Sequence, residues 1–116
     1  MKIKLLKSKI HRAVATDANL EYEGSITIDE ELMNAAKLVE YEKVHVLDIT
    51  NGARVETYVI KAAPGSKEIC INGAAAHLIN PNDRIIILSY CSINKTEVEN
   101  FQPTIVKVND KNEIIH

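Results

Sequence analysis

The chain has 116 residues, with 14 Lys plus Arg against 16 Asp plus Glu and a formal net charge of −2 at pH 7. That length suits a single domain over residues 1–116 and is too short for separate cofactor and substrate domains. The charge balance argues against a nucleic-acid binder, including a DNA-binding barrel, because such proteins carry a basic excess on one face. No stretch approaches the roughly 20 apolar residues that span a bilayer.

In chain order, the first twelve residues are basic. Lys2, Lys4, Lys7 and Lys9 interrupt any apolar run, so this is no secretory signal and a cytoplasmic protein is expected. Lys2–Leu6 alternates and His11–Thr16 is half apolar, and both read as strands. Asp29 can cap a helix that has Glu30 and Glu31 in its first turn and Leu32, Met33, Ala36 and Val39 on one face. Val44–Ile49 is rich in β-branched residues. Arg54–Ile60 alternates, with Val55, Thr57 and Val59 on one side and Arg54, Glu56, Tyr58 and Ile60 on the other. Asn51-Gly52 between these two runs is a hairpin signal. Pro64-Gly65 and Asn80-Pro81-Asn82 are turns. Arg84–Ile93 is the most apolar run, a second short helix is expected over Asn94–Phe101 before Pro103, and Thr104–Val108 is a further strand. Many short strands with one or two helices indicate a small closed β-barrel.

Four segments can carry chemistry. In Glu21-Tyr22-Glu23-Gly24-Ser25, a serine hydroxyl lies close to the carbonyl of the residue before it. Glycine permits the bent backbone that would aim one at the other. An N-to-O acyl shift would give an ester, and β-elimination followed by hydrolysis would leave a pyruvoyl group and release ammonia. Thr50–Tyr58 adds a cation and two hydroxyls. Arg54 and Tyr58 share a face there, whereas Thr57 needs a bulge or a neighbouring subunit to join them. Asn72-Gly73-Ala74-Ala75-Ala76-His77 is a turn whose small side chains leave backbone N–H groups open to a carboxylate or oxyanion. Lys9-Ile10-His11-Arg12 is a cationic cluster. Cys70 and Cys91 lack CxxC spacing and read as small buried hydrophobes in a reducing compartment. His11, His45, His77 and His116 have no zinc-like spacing, so no metal site is expected, and there is no Walker A or dinucleotide fingerprint.

Taken together, Lys9–Arg12, Leu20–Ser25 with Ile28-Asp29, Thr50-Asn51-Gly52, Arg54, Thr57-Tyr58, Asn72–His77 and Asp83–Ile87 resemble the bacterial aspartate 1-decarboxylase family. These segments stand in order over nearly the whole chain. The resemblance implies a six-stranded double-psi β-barrel with one or two short helices, in a homotetramer with shared active sites. It also implies a precursor cut between Gly24 and Ser25 into a small β chain (1–24) and an α chain (25–116). The cofactor would be the pyruvoyl group formed from Ser25, with no metal and no pyridoxal phosphate. Thr57 would hold the Gly24 carbonyl during processing and later contact substrate. Tyr58 would be the proton donor, and Lys9 and Arg54 would face the carboxylates of L-aspartate. Asn72, Gly73, Ala74 and Ala75 would line the substrate site, the last three through backbone groups. Asn82 stands where the family often has glycine, a position asparagine also tolerates.

The implied reaction converts L-aspartate to β-alanine and CO2, feeding pantothenate synthesis. Departure of CO2 leaves electrons that no standard side chain accepts. A ketone made from the chain itself, conjugated to the next amide and condensed with the substrate amine, supplies that sink without an added cofactor. A firm grip on the departing carboxylate would stabilise the ground state. Arg54, which can bind bidentately, therefore suits the side-chain carboxylate, with Lys9 the looser partner. Phenols hold their proton at neutral pH, so Tyr58 can donate. Two other readings stand beside this one: a pyruvoyl decarboxylase of another acidic amino acid, since one methylene is worth only about 1–3 kcal/mol, and a catalytically silent barrel acting as a binding or assembly module. Maturation can be spontaneous or assisted by a maturation factor.

Overall fold

Apolar alternation makes most of the chain strand. The computed structural model describes all residues from Met1 to His116. Its strands are β1 (Lys2–Val14), β2 (Asp17–Asn19), β3 (Ser25–Asp29), β4 (Lys43–Asp48), β5 (Arg54–Ala62), β6 (Ile69–Asn72), β7 (Arg84–Asn94), β8 (Thr104–Val108) and β9 (Ile114–Ile115). One short helix, α1 (Glu30–Ala35), and two 3₁₀ turns, Gly73–His77 and Lys95–Asn100, complete it. The mainly β class with short helices agrees with the sequence reading.

All nine strands join one sheet in the order β2-β6-β3-β5-β4-β7-β1-β8-β9. The pairs β1–β8, β2–β6 and β3–β5 are parallel and the rest antiparallel. Only Ala15 and Thr16 separate β1 from β2, yet β2 stands at the far edge of the order. The sheet therefore curls until that edge meets the end of β1. Thr16 bridges the meeting: its N–H and hydroxyl both donate to the Ile69 carbonyl, at 2.7 and 3.0 Å, and its oxygen accepts from Ile69 N at 2.9 Å. Isolated bonds of this kind join the edges, and the ladder itself does not close.

The inner side of the curl holds the core. Nineteen buried residues form one cluster, mostly isoleucine and valine at alternate strand positions. Each isoleucine taken fully out of water contributes about 1.5–3 kcal/mol. The end of β1 is held by Asn112, whose carboxamide accepts from Val14 N at 2.7 Å and donates to the carbonyls of Val14 and Lys67, both at 3.0 Å.

Asp29 caps α1 as expected. Its Oδ1 accepts from Glu31 N and Gly65 N, and its Oδ2 from Lys67 N, each at 2.9 Å. The helix is shorter than the pattern suggested. Lys37 turns left-handed (φ 58°) and Leu38 N bonds back to Met33 O, the Schellman ending. Ala36 thus only caps the helix, and Val39 lies beyond it, 65% exposed rather than on the buried face. Three other readings change. Lys2–Leu6 and His11–Thr16 belong mainly to the single strand β1, bent where its register with β7 shifts and Arg12 takes φ 66°. Asn51-Gly52 sits in a longer β4–β5 connection, because Asp48 Oδ1 takes Thr50 N and Gly52 N bonds Asp48 O. Asn94–Phe101 forms a 3₁₀ turn over Lys95–Asn100.

Asp48, at the end of β4, is buried beside Asp83. Asp48 Oδ2 has no hydrogen-bond partner. Burial, followed by the Asp83 carboxyl, pushes the Asp48 carboxyl up to about 6, although the bond from Thr50 N pulls the other way. An acid raised in the folded chain keeps a proton that the unfolded chain has already released. Its contribution to stability is therefore complete below the unfolded value and is lost as pH rises through about 6. Urea unfolding should show stability falling by on the order of 1–3 kcal/mol between about pH 4.5 and 7. Asp48→Asn, whose amide can donate to Asp83, should flatten that slope; an unchanged slope would remove Asp48 as its source.

Candidate active site

Ser25 opens β3 and pairs with Asn72 at the end of β6, while Thr27 pairs with Cys70. Side chains two apart on a strand share a face, so these four converge on one patch. Asn72 Nδ2 lies 2.9 Å from both Ser25 Oγ and Thr27 Oγ1. Cys70 Sγ donates to Asn72 Oδ1 at 3.2 Å. Ser25, Asn72 and Cys70 are all buried, so water does not compete for these bonds.

The next residue bends the chain. Gly73 has φ 75° and starts the 3₁₀ turn. A Cβ at this position would stand 2.8 Å from Gly24 Cα, 2.9 Å from Gly24 N and 3.0 Å from Tyr22 O. The backbone before Ser25 is thus pressed onto a residue that has room for hydrogen only. Ala74 is exposed and Ala75 half-buried, just beyond this contact. N–H groups at the head of such a turn have no acceptor within it.

β5 runs parallel to β3, with Ile26 level with Val59. Carried back one residue, that register sets Ser25, the first residue of β3, beside Tyr58. Cross-strand partners share a face: Thr57 lies opposite the buried Val44, and Tyr58 opposite the exposed Lys43. Thr57 therefore points inward and Tyr58 outward. The β4–β5 ladder from Lys43 to Leu47 is unbroken, so no bulge turns Thr57 to the outer face. The Tyr58 ring is 6.4 Å from that of Tyr41, and its hydroxyl makes no bond within the chain.

Arg54 lies on the outer face with Tyr58, about 13 Å along the strand. Its guanidinium meets His45 Nδ1 at 3.0 Å, and His45 Nε2 donates to Glu56 Oε1 at 3.1 Å. The two bonds together fix His45 as the neutral tautomer with its proton on Nε2. Arg54 makes no ion pair, and neither does Lys9. Lys9 pairs with Leu88 on β7 and Ile105 on β8, four strands from β3 in the sheet order. One chain thus brings together Gly24, Ser25, Asn72 and Gly73, with Tyr58 on the neighbouring strand β5 and Lys9 on β1. His11 is held neutral, its value lowered by burial first and then by Lys9, Arg12 and Lys107.

The sequence reading missed Thr27 and Cys70 as members of the quartet. The signal available was period-two spacing, Cys70 two before Asn72 and Thr27 two after Ser25. Cys91, read as buried, is half-exposed. It borders an outer-face groove of about 420 Å³ with Lys4, His45, Glu56 and Tyr90. That groove contains none of the expected site residues. No group of three or more His, Cys, Asp or Glu residues could hold a metal ion, and no helix is long and apolar enough to cross a membrane.

A family model described as aspartate decarboxylase matches residues 1–115. The chain is 60% identical over 114 residues to an aspartate 1-decarboxylase of Campylobacter fetus, covering 98% of each protein. It is 58% identical over 116 residues to one of Acetivibrio thermocellus, covering 100% of this chain and 92% of that protein. Among solved structures it is similar to the rationally designed mkDPBB_sym1 protein, with a TM-score of 0.48 and 15% identity over 75% of this chain and 96% of that one.

The Gly73 contact makes its own prediction. Gly73→Ala must adopt φ 75° and force a methyl against the Gly24 backbone. Urea unfolding should show a loss of about 2 kcal/mol or more. Unchanged stability would mean that the two segments are not pressed together.

Proposed function

The chain belongs to the aspartate decarboxylase family, and on that premise we propose that it converts L-aspartate to β-alanine and CO2, feeding pantothenate synthesis, with a pyruvoyl group made from its own Ser25. The observation that carries this reading is the buried Ser25 hydroxyl, 2.9 Å from Asn72 Nδ2 and directly after a Gly24 backbone packed on Gly73.

Processing begins when Ser25 Oγ attacks the Gly24 carbonyl carbon and its proton passes to the departing Ser25 nitrogen. The amide C–N bond breaks as the ester C–O bond forms. Asn72 stabilises negative charge growing on Oγ by donating to it. Thr57, one residue before Tyr58 on β5, would donate to the Gly24 carbonyl. Loss of the Ser25 Cα proton then breaks its Cβ–O bond and frees Gly24 as a carboxylate. Water adds, ammonia leaves, and a ketone remains at the head of residues 25–116, with residues 1–24 as the smaller chain.

These residues fit such a group, because Ser25, Asn72 and Cys70 are buried and the backbone before Ser25 packs closely on Gly73. When formed, it supplies an electron sink for decarboxylation. The chain's own residues do the rest. Arg54, which lacks a carboxylate partner, takes the side-chain carboxylate of aspartate. The backbone from Gly73 to Ala75, with Asn72, orients the amino acid. Tyr58, its hydroxyl free, returns a proton to Cα after CO2 has left. Lys9 stands four strands from β3 in the sheet order, and Arg54 about 13 Å from Tyr58 along β5. This supports a homotetramer in which the site is completed across subunits. The three parallel pairs within the curled sheet support a six-stranded double-psi barrel at its centre. A cytoplasmic location suits the free cysteines, and a maturation factor would act on the exposed Gly24 segment.

The test follows aspartate consumption and chain cleavage together. Wild type should yield β-alanine and be cut at Gly24-Ser25. Ser25→Ala should stay whole and inactive, since no hydroxyl remains to attack. Tyr58→Phe should still be cut but turn over about 10²–10⁴-fold more slowly. A whole, active Ser25→Ala chain would overturn the reading, and a cut Tyr58→Phe enzyme with near-normal turnover would remove Tyr58 as donor.

A further inference from the structure

The Asn72 carboxamide has two unlike ends, and which end faces Ser25 decides what it can do there. Both Ser25 and Thr27 present hydroxyls, 2.9 Å from Asn72 Nδ2. A hydroxyl donates or accepts equally well, so these two partners would accept the amide either way round. Flipped, Asn72 would turn its oxygen toward Ser25 Oγ. That arrangement repels negative charge growing on Oγ, whereas the amide N–H favours it.

The third partner breaks this symmetry. Cys70 Sγ lies 3.2 Å from Asn72 Oδ1. A thiol donates weakly, and its sulfur accepts poorly from an amide. The amide oxygen therefore belongs opposite Cys70 and the nitrogen opposite Ser25. The three groups are buried, which strengthens this preference because no water substitutes for a lost partner.

Resting on the self-cleavage reading above, we infer that Cys70 is a positioning residue for processing: its S–H holds Asn72 Oδ1 and so aims Asn72 Nδ2 at Ser25 Oγ. The thiol stays a donor at neutral pH, because burial raises its value, with smaller contributions from Asp17 and Glu68. Ionised, it would repel Oδ1 and favour the flipped amide. Thr27 and Ser25, the other partners of Asn72, supply no titrating group in this range.

The experiment follows cleavage of freshly made wild-type, Cys70→Val and Cys70→Ser chains by mass spectrometry, across pH. Cys70→Val keeps the volume and loses the donor, and should process roughly tenfold more slowly, the scale of one lost hydrogen bond. Cys70→Ser keeps a donor and should stay within about threefold of wild type. Wild-type processing should decline as pH passes above about 9, while Cys70→Ser, which has no titrating thiol, should lack that decline. Cys70→Val at the wild-type rate, or the same alkaline decline in Cys70→Ser, would overturn the inference. Should wild type never cleave, the self-cleavage reading fails separately. The Asn72 side-chain amide protons, followed by NMR on the intact chains, then decide: their shift and exchange protection should change in Cys70→Val and persist in Cys70→Ser. Identical signals in all three would overturn the inference.

Discussion

The close approach of two glycines governs this molecule's chemistry. Gly73 sits so near Gly24 that a methyl group would stand 2.8 Å from its Cα. Ser25 pairs with Asn72 one residue before that contact, so the position of the serine follows from it. The left-handed turn at Gly73 ends β6, starts the 3₁₀ turn and clears space for the backbone arriving at β3. Asn72, the last residue before that turn, holds the Ser25 hydroxyl at 2.9 Å.

The sheet then sorts the remaining residues by parity. Thr57 and Tyr58 are neighbours in sequence and lie on opposite sides of β5. Thr57 faces inward, opposite the buried Val44, and Tyr58 outward, opposite the exposed Lys43. Arg54 follows the parity of Tyr58, and its contact is His45 Nδ1 rather than a carboxylate.

Much of this was legible where periodicity is strong. Arg54–Ile60 alternates, and β5 covers it with the faces as read. Thr104–Val108 is β8 without change. Asp29 before two glutamates gave the start of α1. The short strands β2, β3 and β6 went unread, because three to five residues are too few to show a period and their partners are distant in sequence. The end of α1 was misjudged because Lys37, not glycine, takes the left-handed turn. Gly24, Ser25, Asn72 and Gly73 were singled out from motif order. Cys70 was read only as a small hydrophobe, since β6 itself went unread and with it the face that Cys70 shares with Asn72. The curl of the sheet depends on Thr16 meeting Ile69, a contact between residues 53 apart that no local pattern announces.

The central claim is that the chain makes its own reactive group at Ser25. Intact mass spectrometry of the purified wild-type protein tests it most directly. The account predicts two species, residues 1–24 and residues 25–116, with the larger lighter by one ammonia than a fragment beginning with serine. A single species of 116 residues that stays whole on incubation, with or without cell extract, would contradict it.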